Sequence, residues 1–126
     1  IFPEFLFATD AMYSVAKILE MMAITGWRIG QVDGSLDRLY RAVRNVPCPW
    51  QAKGRIMRHA MHASEEFERQ LVDGIKILFN RETWVLLVPS KEHEIFTVYS
   101  EAWTQEEAER LASEYEEKVV GWRDNA

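Results

Sequence analysis

A single cysteine, Cys48, is the only thiol in the chain, which excludes an internal disulfide and suits a reducing compartment. No apolar run approaches the ~20 residues that a membrane-spanning helix needs. A basic excess is missing as well: 15 Lys and Arg face 20 Asp and Glu, a net charge of −5 with a pI of about 5.2. That balance argues against nucleic acid and against an anionic membrane as partners. The chain lacks a Walker loop, a dinucleotide fingerprint and a Ser-His-Asp set. It has no internal repeat, no low-complexity segment, no initiator Met and no basic stretch of the signal-peptide kind. The cytoplasm is the expected location.

What is present fits a globular fold. The chain has 126 residues, 48% hydrophobic and 28% charged, enough for one domain or a small domain plus a fragment. A chain of this length buries about two thirds of its unfolded surface. Three Phe fall within Ile1–Phe7, unlike a frayed, solvated terminus, so this stretch is expected to be a strand from within a larger protein. Five Trp fit core packing, and also a surface covered by further domains.

Thr9 or Asp10 can cap a helix reaching Gly26, with Met12, Val15, Ala16, Leu19, Met22 and Ala23 on one face. Gly30 and Gly34 leave room only for a short helix between Arg28 and Leu39. Tyr40–Val46 reads as a strand stopped by Pro47-Cys48-Pro49. A helix over Trp50–Ala63 should turn Ile56, Met57, Ala60 and Met61 inward and present Lys53, Arg55, Arg58, His59 and His62 as a basic outer surface. Asp73-Gly74 signals a turn, then come strands over Ile75–Phe79, Trp84–Val88 and Ile95–Ser100. Thr104-Gln105-Glu106-Glu107 is a capping box for a last helix, with Ala108, Leu111, Ala112, Tyr115 and Val119 inward and an end near Gly121. From about residue 40 the order is β-α-β-β-β-α, an α+β layer: an antiparallel sheet with two helices on one face.

His59, His62 and Glu66 have a spacing that could serve a metal, but no fourth ligand is near, and a solvated helix face is the better reading. Cys48 has no His or acid beside it in sequence and reads as a structural thiol, not a nucleophile. The ionisable loop Pro89-Ser90-Lys91-Glu92-His93-Glu94 lies between two strands, where binding groups tend to sit. Ser90 and Lys91 could meet a phosphate, whereas Glu92 and Glu94 repel one.

Trp84–Ala102 resembles, without a gap, the C-terminal domain of the α-D-phosphohexomutases, the phosphoglucomutase and phosphomannomutase family. Members read W-V-L-V-R-P-S-G-T-E-P followed by a strand ending Y-x-E-A, and Trp84, Val85, Leu86, Pro89, Ser90, Tyr99, Glu101 and Ala102 match. Asp73-Gly74-Ile75-Lys76 resembles the family's D-G-(V/I)-K opening. Pro47–Arg58 resembles the C-P-W-E-A-K-G-x-V-M-R segment of a branch fused to sugar-nucleotide pyrophosphorylases, the mannose-1-phosphate guanylyltransferase-like nucleotidyl transferases. Phe2-Pro3-Glu4-Phe5 and Asp10 resemble the strand and helix start closing the third domain.

The resemblance implies residues 1–36 as the end of domain three, a strand-helix remnant of an α/β domain. It implies 37–126 as domain four, the TATA-box-binding-protein-like fold of the family. In the family the loop grips the substrate phosphate that is not transferred, as domain four rotates over the active site. This chain carries Val88 for the family's Arg, then Lys91, Glu92, His93 and Glu94 for its Gly, Thr, Glu and last Pro; only Pro89 and Ser90 survive. Each lost charge-assisted contact costs about 1.5–3 kcal/mol. The implied phosphate site is therefore the degenerate set Pro89, Ser90, Lys91, Glu92 and His93, with Lys53, Arg55 and Arg58 as basic neighbours. No catalytic residue, metal or cofactor is implied in this portion, although Mg2+ is implied for a whole family member. Implied partners are the other domains of a parent protein in nucleotide-sugar metabolism, a second copy of the chain, or a sugar phosphate. Two roles follow: a structural or regulatory module, the reading preferred here, or a sugar-phosphate-binding lid of an active mutase.

Overall fold

The computed structural model describes residues 1–124. The chain divides into two compact units, Ile1–Asp37 and a second beginning at Arg38. In the first, helix α1 spans Ala11–Thr25 and helix α2 spans Ile29–Gly34. Asp10 starts α1 by accepting the Tyr13 amide at 2.8 Å. Gly26 ends it at φ 71°, its N–H returning to Met22 O at 2.9 Å.

The expected strand at Phe2–Phe5 is a turn. Phe5 and Leu6 N–H both donate to Phe2 O at 2.9 Å, and only an isolated Phe2–Leu6 bridge forms. The turn is favoured because Phe2 and Phe5 both pack on Tyr13, edge-on at 5.0 Å and stacked at 4.1 Å. The apolar face expected on α1 buries nothing: Met12 is 85% and Leu19 58% exposed.

The second unit holds β1 (Tyr40–Pro47), α3 (Trp50–Ala63), β2 (Glu68–Gln70), β3 (Ile75–Leu78), β4 (Trp84–Pro89), β5 (Ile95–Ala102) and α4 (Gln105–Asp124). The structure is α+β, with a five-stranded antiparallel sheet in the order β1-β5-β4-β3-β2. Strand β2 is missing from the expected β-α-β-β-β-α order. It is three residues, Glu-Arg-Gln, with no β-branched or aromatic side chain to announce it. What holds it is Arg69, whose Nη1 donates to Met61 O at 2.6 Å, a cation capping the last turn of α3. Helix α4 continues past Gly121 to Asp124 because Val120 and Trp122 still pack on the core and Arg123 is anchored to Pro47 O at 2.9 Å.

Alternation along the strands decides the buried face. Phe96 and Val98 on β5, Val85 and Leu87 on β4, and Ile75 and Ile77 on β3 meet Ile56 and Ala60 of α3 and Leu111, Tyr115 and Val119 of α4. Ala42, Ala102, Ala108 and Ala112 form a second, small-residue cluster that brings α4 close to β1 and β5. There Ser100 Oγ, buried, donates to Ala108 O at 2.6 Å. Core packing accounts for only part of the tryptophans: Trp27, Trp50 and Trp103 are exposed and Trp84 is half-buried, while half-buried Trp122 packs against the core. Amphipathic indoles tolerate such edges better than aliphatic side chains do.

Tyr115 carries a pH signature. Burial, with the charge of Glu114 beside it, pushes its phenol from 10.0 up to about 12. The folded state therefore holds this proton longer than the unfolded chain. Its contribution is intact below pH 10.0 and is lost as pH rises towards about 12. A shift of this size is worth about 2–3 kcal/mol. Urea titrations at stepped pH should show the native chain losing stability in this window faster than Tyr115→Phe; parallel curves would refute the assignment.

Candidate functional site

The loop between β4 and β5 is closed by its own backbone. Ser90 N–H donates to Ile95 O at 3.0 Å, and Ile95 N–H to His93 O at 2.8 Å. Inside, Ser90 Oγ accepts the amides of His93 at 3.0 Å and Glu92 at 3.3 Å. Converging amides are what an anion-binding turn offers a ligand. Here the loop's own hydroxyl occupies them.

Lys53 decides the rest. The expected basic outer surface of α3 is wrong at this position: Lys53 is 8% exposed, and it is the only charged side chain among the described residues that is buried. Its ammonium donates to Ser90 O at 2.7 Å and to His93 O, and sits 3.5 Å from the centre of the Trp50 ring. A buried cation is tolerated when its donors are met; two carbonyls and an aromatic face do that here. Cys48 N–H ties the far end of the loop, donating to Glu94 O at 2.9 Å.

The remaining expected site residues scatter. Lys91, Glu92, His93 and Glu94 are exposed, and Pro89 is half-buried at the end of β4. Lys91 reaches Asp73 Oδ1 at 3.2 Å, an exposed pair worth little. Half-buried Arg55 turns to the carbonyl of Arg123, and exposed Arg58 makes no hydrogen bond to the loop. Loop and helix thus meet through Lys53 alone of the three expected basic neighbours. The outward side of the loop presents one ammonium and two carboxylates around an imidazole, a poor welcome for a dianion.

His59 stacks on Trp122 with centroids 6.4 Å apart, and His62 Nδ1 lies 3.2 Å from Glu65. Glu66 falls beyond the end of α3, and among the described residues no group of three or more metal-ligating side chains converges. Cys48 is 1% exposed, and burial pushes its thiol up, against the pull of Lys53 and Arg123. Arg123 and the inward turn of Lys53 escaped sequence reasoning. The nearest signal was Trp50 one turn before Lys53, an aromatic able to shelter its stem and head.

No family model matches the chain. It is 32% identical over 123 residues to a probable phosphoglucosamine mutase of Pyrococcus abyssi, covering 94% of this chain and 27% of that protein. It is 28% identical over 109 residues to a phosphoglucomutase/phosphomannomutase of Thermococcus kodakarensis, covering 86% and 24%. A probable phosphoglucosamine mutase of Methanothermobacter thermautotrophicus gives 28% over 130 residues, covering 94% and 28%. The chain spans about a quarter of the length of these relatives. The α+β architecture is compatible with the C-terminal domain of such enzymes, and the likeness, running over nearly the whole chain, supports the phosphohexomutase family for it.

Proposed function

We propose that the chain is the closing portion of a phosphohexomutase-like protein whose phosphate loop has become a structural strut. Its role is then to shape or regulate the parent protein, not to grip a sugar phosphate. One observation carries this reading: the Glu92 and His93 amides are spent on Ser90 Oγ while Lys53 pins the loop from beneath. The association with a nucleotidyltransferase is part of the same proposal, supported by the Pro47–Arg58 segment alone.

The alternative, a sugar-phosphate-binding lid, is favoured by the retained Pro89-Ser90 pair. Titration with glucosamine 6-phosphate and glucose 1-phosphate, followed at the Ser90–His93 amides, separates the two. In the native chain these amides should not move saturably at millimolar ligand; saturable movement of them would favour the lid. Reintroducing a cationic fork and a hydroxyl in Val88→Arg/Glu92→Thr should tighten binding by about tenfold or more, since one charge-assisted contact contributes about 1.5–3 kcal/mol. An unchanged double variant would show that the loop's charges are not what limits binding.

A further inference from the structure

We infer that a hollow beside the β1–α3 turn is a binding site for a small oxyanion, a phosphate or carboxylate group. It has a volume of about 560 Å³, is walled by Cys48, Gln51, Arg55, Glu94, Arg123 and Asp124 among others, and includes none of Ser90–His93. Pockets of this size accept metabolite-sized ligands.

Two guanidinium groups form its walls, and both are fixed in place. Arg123 Nη1 donates to Pro47 O at 2.9 Å, and Arg55 Nη2 donates to Arg123 O. Planar forks held in advance suit oxyanions, because little side-chain entropy remains to be lost on binding. Arg55 Nε is the only buried side-chain nitrogen or oxygen among the described residues with no hydrogen-bond partner. An orphaned buried donor of this kind calls for an acceptor.

The formal charges of the lining balance, Arg55 and Arg123 against Glu94 and Asp124, but the two carboxylates are not equally placed. Asp124 is already engaged by Arg123 through two contacts, at 2.6 and 3.0 Å. The wall at Gln51 and Ala52 is the first turn of α3, where no side chain caps the backbone amides, so its partial positive charge adds to that of the arginines. Glu94 is exposed and can swing into solvent.

The site can be tested apart from the loop. In an isotope-labelled sample, inorganic phosphate and acetate are titrated separately, following the Arg55 Nε–Hε signal and the Gln51 and Ala52 amides. Saturable movement of these signals with Ser90–His93 unmoved supports the site, and the tighter of the two anions names the ligand's headgroup. No saturable movement with either anion overturns it. Movement confined to Ser90–His93 overturns it too, and with it the strut reading. Gln51→Glu places a carboxylate at the wall on an exposed first-turn position that helices favour, so folding is retained. It should weaken binding about tenfold or more through like-charge repulsion; unchanged affinity would overturn the site.

Discussion

Gly74→Ala should lower the melting temperature by about 12–24 °C, the equivalent of about 3 kcal/mol in a domain of this size. An added Cβ would lie 2.2 Å from Leu87 O, 3.1 Å from Leu87 C and 3.3 Å from Val88 Cα, all of them backbone. No rotamer change relieves such a contact. The strands must part just where Ile75 pairs with Leu87, and both of those side chains are fully buried. Gly74 is therefore a spacing residue. The positive φ of the turn falls instead on Asp73, at 57°, which an aspartate tolerates better than most residues. Asp73→Gly should accordingly be mild where Gly74→Ala is severe. Thermal melts of the two side by side check this, and equal effects would contradict it.

Lys53→Met should cost about 2–4 kcal/mol, because the carbonyls of Ser90 and His93 both lose their donor. Methionine has the reach to fill the space, so the loss comes mainly from the unmet carbonyls and the vanished cation–π contact. Burial of the charge itself works the other way, since removing a desolvated cation returns part of its cost. The carbonyl term wins here because the loop cannot turn both groups to water while Ser90 N–H holds Ile95 O and Cys48 N–H holds Glu94 O. Urea denaturation should show a lower midpoint with an unchanged slope. Amides at Glu92 and His93 should exchange faster. Stability within about 0.5 kcal/mol of native would remove Lys53 from its place as organiser.

The sequence made some of this legible. The helix over Trp50–Ala63 and the five inward residues of α4 follow from strong 3.6-residue periodicity. The strands around the loop follow from alternation of β-branched and aromatic residues. Strand β2 did not show itself, because Glu68–Gln70 pairs through backbone and through the Arg69 cap, neither of which leaves a hydropathy pattern. Lys53 was misread as solvated because helical spacing places it beside Arg55 and Arg58 without revealing that a loop lies across it. The position of the loop was readable from its likeness to a family. The turn of the Ser90 hydroxyl towards its own loop was not, since tertiary closure sets it and residue identity does not.

The central claim is that loop Pro89–Glu94 is held from within and has no free amides for a phosphate. Hydrogen exchange of the Glu92 and His93 amides, measured with and without millimolar glucosamine 6-phosphate, tests it most directly. The account predicts that both amides are protected in the free chain, lose protection in Ser90→Ala, and keep the same rates when ligand is added. Unprotected amides that become protected, saturably, on adding the sugar phosphate would contradict it.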